Sequence, residues 1–475
     1  MELRKELDSL GEFNVPKDAY YGVQAKRAAD NFPITGYNIH PELIIALAMV
    51  KKASAETNMK VGLLSNKLGN VIVEACDEII DGKYHEEIIV DPIQGGAGTS
   101  LNMNINEVIA NRSLELLGEE KGNYNYIHPN NHINMGQSTN DVLPTSIRIA
   151  TINLLEKALF QLEELKKAFE DKAEEFDQVL KMGRTHLQDA IPIRLGQEFG
   201  SYAAVIGRDI KRLNRTHEHL ETINLGATAV GTGLNADQSY VKMVTQKLNQ
   251  ITGLKLSQAD NLVDATQNTD SLVEVSGALK GTAVNLSKIA NDLRLMASGP
   301  KCGFNEIELP PTQPGSSIMP GKVNPVMAEV VNQVAFQIMG NDQTITLASE
   351  AGQLELNVMG PVLVFNLLQS LDILKNVVSV FNKKCVQGIR PNVKRCKELV
   401  ENSIGIITAI NPHVGYEVAS RIAKKALKTG RSVREIVIEE GVLTEEELNI
   451  ILNPNEMTEP GIAGKELFEI NDNVS

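Results

Sequence analysis

The sequence predicts a mainly α protein built around long helices. Three observations carry that expectation. In 270–299, DSLVEVSGALKGTAVNLSKIANDLRLMASG, the residues Leu272, Val275, Leu279, Thr282, Leu286, Ile289, Leu293 and Met296 recur three and four apart, which is the stripe of a long helix with one buried face. A second stripe runs through 151–175, where Ala158, Leu162, Leu165 and Phe169 share a face. The third is 361–383, PVLVFNLLQSLDILKNVVSVFNK, apolar on more than one face from Val362 to Leu368 and opened by Pro361 in a first-turn position.

Taken in order, the chain divides into three regions. Residues 1–139 mix helical stretches with loops rich in Gly, Asn and Pro, such as DPIQGGAGTS and HPNNHINMGQSTND. Residues 140–394 hold the long helices. Beside the three above, 192–223, 236–252 and 326–339 read as helical, and Gly299-Pro300 supplies a stop signal. Residues 395–475 contain shorter helices and turn signals, with Thr444 expected as an N-cap before the acidic first turn Glu445-Glu446-Glu447. A helix apolar nearly all round needs cover on most sides, so association of several chains through the long helices is expected. No repeat of 20–50 residues stands out.

Composition narrows the function. The 475 residues carry a formal net charge of −14, which argues against nucleic acid as a partner. An anionic substrate would therefore need a few local donors rather than the overall field. The opening MELRKELDSLGEFN is charged and has no apolar core, so a signal peptide is not expected, and no uninterrupted apolar run approaches the roughly 20 residues of a membrane span. The four cysteines, Cys76, Cys302, Cys385 and Cys396, form no CxxC pair and no zinc-spaced cluster. They read as reduced thiols of a cytoplasmic protein.

Four polar strips break the helical pattern: GGAGTSLNMN (95–104), GQSTND (136–141), GRTHLQDA (183–190) and GSSIMPGKVNP (315–325). Each joins glycine to Ser, Thr or Asn, and one adds His186. Neutral hydroxyls and amides, with backbone N–H groups laid open by glycine, suit the carboxylates of a small acid. Any one strip alone reads as a turn or a helix cap. Asp141 and Asp189 beside them read as caps or structural partners. Spacing alone goes no further than a small-anion site.

The last strip resembles the signature of the fumarase/aspartase superfamily, Gly-Ser-Ser-x-Met-Pro-x-Lys-x-Asn, at every defined position. GTSLNMN, QSTND and GRTHLQDA fit the same family, and the likeness runs over nearly the whole chain. Within the superfamily, VDPIQGGAGTSLNMN, the Leu-Gln of GRTHLQDA and Thr139 of QSTND resemble the aspartase branch more than the fumarase branch. The resemblance implies a three-domain mainly α fold whose central helices form a twenty-helix core in a homotetramer. Each active site would be shared by three subunits.

The activity so implied is reversible deamination of L-aspartate to fumarate and ammonia through an enediolate, with hydration of fumarate as the alternative. A structural protein with decayed catalytic machinery is a third reading, against which Ser316, Lys322, Asn324, Thr185 and His186 are all present. The resemblance gives Ser316 the role of general base. It places Thr99, Ser138, Thr139 and Ser317 on the β-carboxylate, Thr185, Lys322 and Asn324 on the α-carboxylate, and Asn140 and His186 near the amino group. Glu329 would orient His186, and Arg27 would help to attract anions. Gly315 and Gly321 read as hinges of a closing loop. No cofactor and no catalytic metal are expected, and activation by a divalent cation is left open. Gly136 and Gly360 depart from the family pattern, where serine and glutamate are usual.

Overall fold

The computed structural model describes residues 2–467 and is dominated by helices. The stripe of the sequence is the buried face of the Asp270–Met296 helix: Leu272, Val275, Leu279, Thr282, Leu286, Ile289, Leu293 and Met296 are all buried. Ala158, Leu162, Leu165 and Phe169 are buried on the Thr139–Glu175 helix. That helix has 37 residues, roughly 55 Å by the rise of an α-helix. It starts twelve residues before the expected stripe, because Asp141, Thr145 and Ser146 are buried polar residues that hide the apolar period.

Two further boundaries differ from the sequence reading. The helix expected to begin at 192 begins at Leu195, since Gln188–Arg194 is a strand paired antiparallel with Leu180–Thr185. The helix read as ending at 339 continues to Glu350, through Asn341 and Asp342, both buried. Asn341 Nδ2 donates to Ser370 Oγ at 2.9 Å, so the polar side chain is satisfied inside the fold.

The chain forms two compact units. The first comprises the described residues of Met1–Phe160, with Asp209–Ala283 and Val334–Lys375. It opens with an antiparallel hairpin, Leu3–Asp8 with Gly11–Pro16. The Pro41–Lys60 helix packs against Asn66–Ile80 and Gln238–Thr252, and Asn66–Ile80 packs against Thr99–Leu116. Arg27 ties the hairpin to the Val23–Asn31 helix: its Nε donates to Asp8 Oδ2 at 2.8 Å and its guanidinium covers the Phe13 ring. The role expected of it, attracting anions, is thus set against a guanidinium already paired with a carboxylate.

The second unit comprises Gln161–Arg208, Val284–Gln333 and the described residues from Asn376 on. Phe169, Phe176, Phe199, Tyr202 and Phe381 form an aromatic cluster with ring centroids 5.1–6.4 Å apart. The short C-terminal helices close their own core around Ile410, Ile422, Ile436, Leu448 and Ile451. Thr444 caps the Glu445–Ile451 helix in a reciprocal capping box with Glu447, as the sequence predicts.

The 361–383 segment lies in the Gly360–Lys384 helix, where Leu363, Val364, Leu367 and Leu368 are buried within the chain. Its over-apolar character is therefore largely covered without a partner. Exposed large apolar side chains occur on other long helices, among them Phe160, Val284, Phe336 and Leu347. Among the described residues one helix, Gly360–Gly388 with a mean hydropathy of 1.3, is long and apolar enough, by length and composition alone, to cross a bilayer. The run is not uninterrupted, in keeping with the sequence reading, since polar residues break it. The interruptions at Asn366, Gln369, Ser370 and Asp372 belong to a core helix, and Ser370 Oγ donates to Asn366 O at 2.7 Å.

Candidate active site

Two of the four polar strips meet in the first unit. Thr99, Ser138, Thr139 and Asn140 line one cavity of about 610 Å³ together with Gln24, Asn102, Asn134, Gln137, Thr228 and Asn235. Thr99 is the first residue of the Thr99–Leu116 helix and Thr139 the first of Thr139–Glu175. The cavity therefore sits at two helix N-termini, where unpaired N–H groups and the macrodipole favour an anion. Gly98 makes the first approach feasible. Its φ is +85°, and a Cβ there would lie 2.2 Å from Leu143 Cδ2.

The hydroxyls are oriented by hydrogen bonds from behind. Asn102 Nδ2 donates to Thr139 Oγ1 at 3.1 Å, which leaves the Thr139 hydroxyl hydrogen to donate elsewhere. Asn140 N donates to Ser138 Oγ at 3.2 Å, with the same consequence for Ser138. Asn140 Nδ2 donates to Ala229 O at 2.7 Å. Asp141 is a structural partner, as the sequence suggests. Its carboxylate accepts from Ser138 N at 2.9 Å, Gly226 N at 3.0 Å and Thr228 N at 3.1 Å, so it pins the QSTND turn to the 226–228 loop. Burial pushes its carboxyl up to about 6, against those N–H donors and Lys51. Gly136 has φ +72°, so the turn holds a left-handed residue where a side chain would be strained.

The sequence reading missed the layer behind this cavity. Lys51 is fully buried, and its Nζ donates to Asn134 Oδ1 and to Gln137 Oε1, both at 2.9 Å. Asn134 Oδ1 also accepts from Asn102 Nδ2 at 3.2 Å and Asn106 Nδ2 at 3.3 Å. Buried asparagines at 102, 104, 106 and 111 on one helix were the available signal, since amides that occupy an otherwise apolar core need partners.

The second unit holds the other two strips. GRTHLQDA forms the tip of the Leu180–Thr185/Gln188–Arg194 hairpin, with Thr185 opposite Gln188. The two turn residues, His186 and Leu187, have φ +56° and +58°, the positive pair that a tight hairpin turn requires. Neither is glycine, and such strain is typical of functional sites. Thr185 and His186 are exposed. The hairpin is anchored by Glu306, which is fully buried: Arg184 Nη1 donates to Oε1 at 2.9 Å and Lys181 Nζ lies 3.7 Å from Oε2. Glu306 is a second residue that the sequence reading missed. Asp189 accepts from Ser403 Oγ at 3.0 Å, again a structural partner.

GSSIMPGKVNP forms a loop before the Val326–Glu350 helix. Ser316 Oγ accepts the backbone N–H of Ile318 at 3.2 Å and of Met319 at 3.1 Å. The loop is closed on itself by Gly315 N to Lys322 O and by Asn324 Nδ2 to Gly315 O, both at 2.8 Å. Gly315 is required by close approach, since a Cβ there would lie 2.5 Å from Lys322 O. Gly321, at φ +83° with open space around it, is the residue of the two whose backbone is free to turn. Ser317 and Lys322 are exposed, while Ser316, Asn324 and Glu329 are half-buried. Among the described residues no ion pair of one chain joins His186 to Glu329, and no group of three or more His, Cys, Asp or Glu is placed to hold a metal ion.

A family profile described as Lyase matches residues 11–340, and one described as Fumarase C C-terminus matches 406–459. The chain is 63% identical to an aspartate ammonia-lyase of Bacillus subtilis over 98% of both chains. Among solved structures it is similar to a fumarate lyase:delta crystallin from Brucella melitensis bound to cobalt, with a TM-score of 0.94 and 49% identity over 97% of this chain and 100% of that one. A class II fumarase from Schistosoma mansoni matches with a TM-score of 0.91 and 36% identity, over 97% of this chain and 100% of that one.

Proposed function

Because the chain belongs to the fumarase/aspartase superfamily of lyases, we propose that it removes ammonia from L-aspartate to give fumarate, and runs the reverse addition. One observation carries the reading. A cavity of neutral hydroxyl donors stands at two helix N-termini, in a chain far more alike to an aspartate ammonia-lyase (63%) than to a class II fumarase (36%).

The chemistry explains the donors. The proton on the carbon beside the β-carboxylate is weakly acidic, so the barrier lies in charge gathering on that carboxylate as it becomes a dianionic enediolate. Fixed donors aimed at the growing charge lower the barrier, each by about 10²–10³ in rate. Thr99, Ser138 and Thr139 supply such donors, with Ser317 added from the signature loop of another chain. Ser316, as the alkoxide, takes the carbon-bound proton. The electron pair of that bond forms the enediolate. It then collapses to the double bond as the carbon–nitrogen bond breaks, and ammonia leaves.

Two N–H groups on Ser316 Oγ support an alkoxide there. Thr185, Lys322 and Asn324 take the α-carboxylate, with Lys322 as countercharge. His186, paired with Glu329, and Asn140 lie toward the amino group. We read the site as assembled from three chains of a cytoplasmic homotetramer whose central helices, in a domain spanning 140–394 between domains 1–139 and 395–475, form the shared core. The exposed Phe160, Val284, Phe336 and Leu347 support that packing. No cofactor enters the chemistry, and a divalent cation would act only as an activator.

The test is an ultraviolet assay of fumarate with L-aspartate and L-malate in parallel. Fumarate formed from L-aspartate with equimolar ammonia, and none from L-malate, is the expected result. Turnover of L-malate with L-aspartate untouched would overturn the reading.

A further inference from the structure

We propose that Lys51 is a positioning residue of the carboxylate cradle, holding Asn134 and Gln137 so that the Gln137–Asn140 turn presents its donors to the substrate. The inference rests on the reading of the site as a lyase active site.

Lys51 does not touch the cavity, being fully buried. Its two acceptors, Asn134 and Gln137, both line it. Three residues at helical spacing on the Pro41–Lys60 helix, Lys51, Ser54 and Asn58, make a buried polar stripe against the same segment. Asn58 Nδ2 donates to Met135 O at 3.0 Å, and Ser54 Oγ bonds Tyr240 Oη at 3.0 Å. A Cβ built on Gly136 would stand 3.6 Å from the Tyr240 ring. The helix thus holds residues 134–137 through Lys51 and Asn58, with Tyr240, bonded to Ser54, beside Gly136.

Stability does not explain a lysine there. An ammonium out of water is costly, and an apolar side chain of similar volume would be as stable or more so. Among the described residues Lys51 has no carboxylate within ion-pair distance. Asp141 is the carboxylate whose charge bears on it, and that carboxylate is occupied by the N–H groups of Ser138, Gly226 and Thr228. What Lys51 gains is two amide oxygens of the turn that carries Ser138 and Thr139. Its N–H donors fix the Asn134 and Gln137 amide oxygens in place. Asn134 is in turn bonded to Asn102, which orients Thr139.

A cradle set for a dianion contributes more in the transition state than in the ground state. Lys51→Met should therefore lower kcat at least tenfold and raise KM for L-aspartate no more than about threefold, with assembly and melting temperature retained. A kcat within twofold of the parent, in a folded variant, would overturn the proposal. Should Lys51→Met fail to fold, Gln137→Met removes one acceptor and keeps the lysine. It should lower kcat at least threefold, and parental kcat in that variant would overturn the proposal. The parent's turnover of L-aspartate in the same assay tests the underlying reading. If the parent uses L-malate instead, the parent-to-variant ratio is read with that substrate.

Discussion

The backbone N–H of Met319 donates to Ser316 Oγ at 3.1 Å, with the N–H of Ile318 beside it at 3.2 Å. A serine without a neighbouring His or Asp is a poor base unless its oxyanion is stabilised by other means, and two main-chain donors are such a means. Ser316→Ala should lower kcat by about 10²–10⁴, the usual worth of general base catalysis, while KM changes little. Steady-state kinetics on the folded variant checks this.

Thr139 is oriented by Asn102, whose Nδ2 occupies an Oγ1 lone pair at 3.1 Å. Its hydroxyl hydrogen is thereby free to serve a carboxylate. Thr139→Val keeps shape and loses the donor, and should cost about 10²–10³ in kcat. Thr139→Ser should recover at least half of that loss on a logarithmic scale. Equal damage from both substitutions would show that the methyl group, not the hydroxyl, is what matters.

Glu306 is the buried counterion of Arg184 and Lys181. Glu306→Leu leaves the buried Lys181 without a carboxylate and Arg184 with only Asp189, 4.0 Å away, a defect that costs about 3–5 kcal/mol. Denaturant unfolding should show a lower midpoint. Activity measured well below that midpoint should also fall, because Arg184 precedes Thr185 and His186 at the hairpin tip.

Burial holds the Lys51 ammonium down to about 7 against an ordinary 10.5. Between those values the unfolded chain binds a proton that the folded chain has shed, so this group's contribution to stability rises with pH across that window. The melting temperature of Lys51→Met relative to the parent should therefore be most favourable below pH 7 and should decline as the pH is raised above it. A difference that stays flat from pH 6 to 9 would show that Lys51 keeps its proton throughout.

Burial also raises the thiols of Cys76, Cys385 and Cys396, the last two to about 12, while Cys302 is exposed. A thiol reagent at neutral pH should modify one cysteine per native chain, and all four after denaturation.

The long helices were legible because apolar residues at three- and four-residue spacing leave a mark that survives without tertiary information. The start of the Thr139–Glu175 helix was not, because buried Asp141 and Thr145 are satisfied by residues 224–228, distant in sequence, and Ser146 by a carbonyl of its own helix. The Leu180–Arg194 hairpin was hidden by its turn, where non-glycine His186 and Leu187 adopt positive φ. The four polar strips stood out through their glycines and hydroxyls. Lys51 and Glu306 did not, since a lysine or glutamate gives no sign in sequence that it will be buried.

Addition of ammonia to fumarate in D2O tests the central claim most directly. The parent should form L-aspartate carrying a single deuterium on the carbon beside the β-carboxylate. Ser316→Ala should form it at least 10²-fold more slowly, while still binding L-aspartate. Labelling by Ser316→Ala within tenfold of the parent rate would contradict the assignment of the carbon-bound proton to that oxygen.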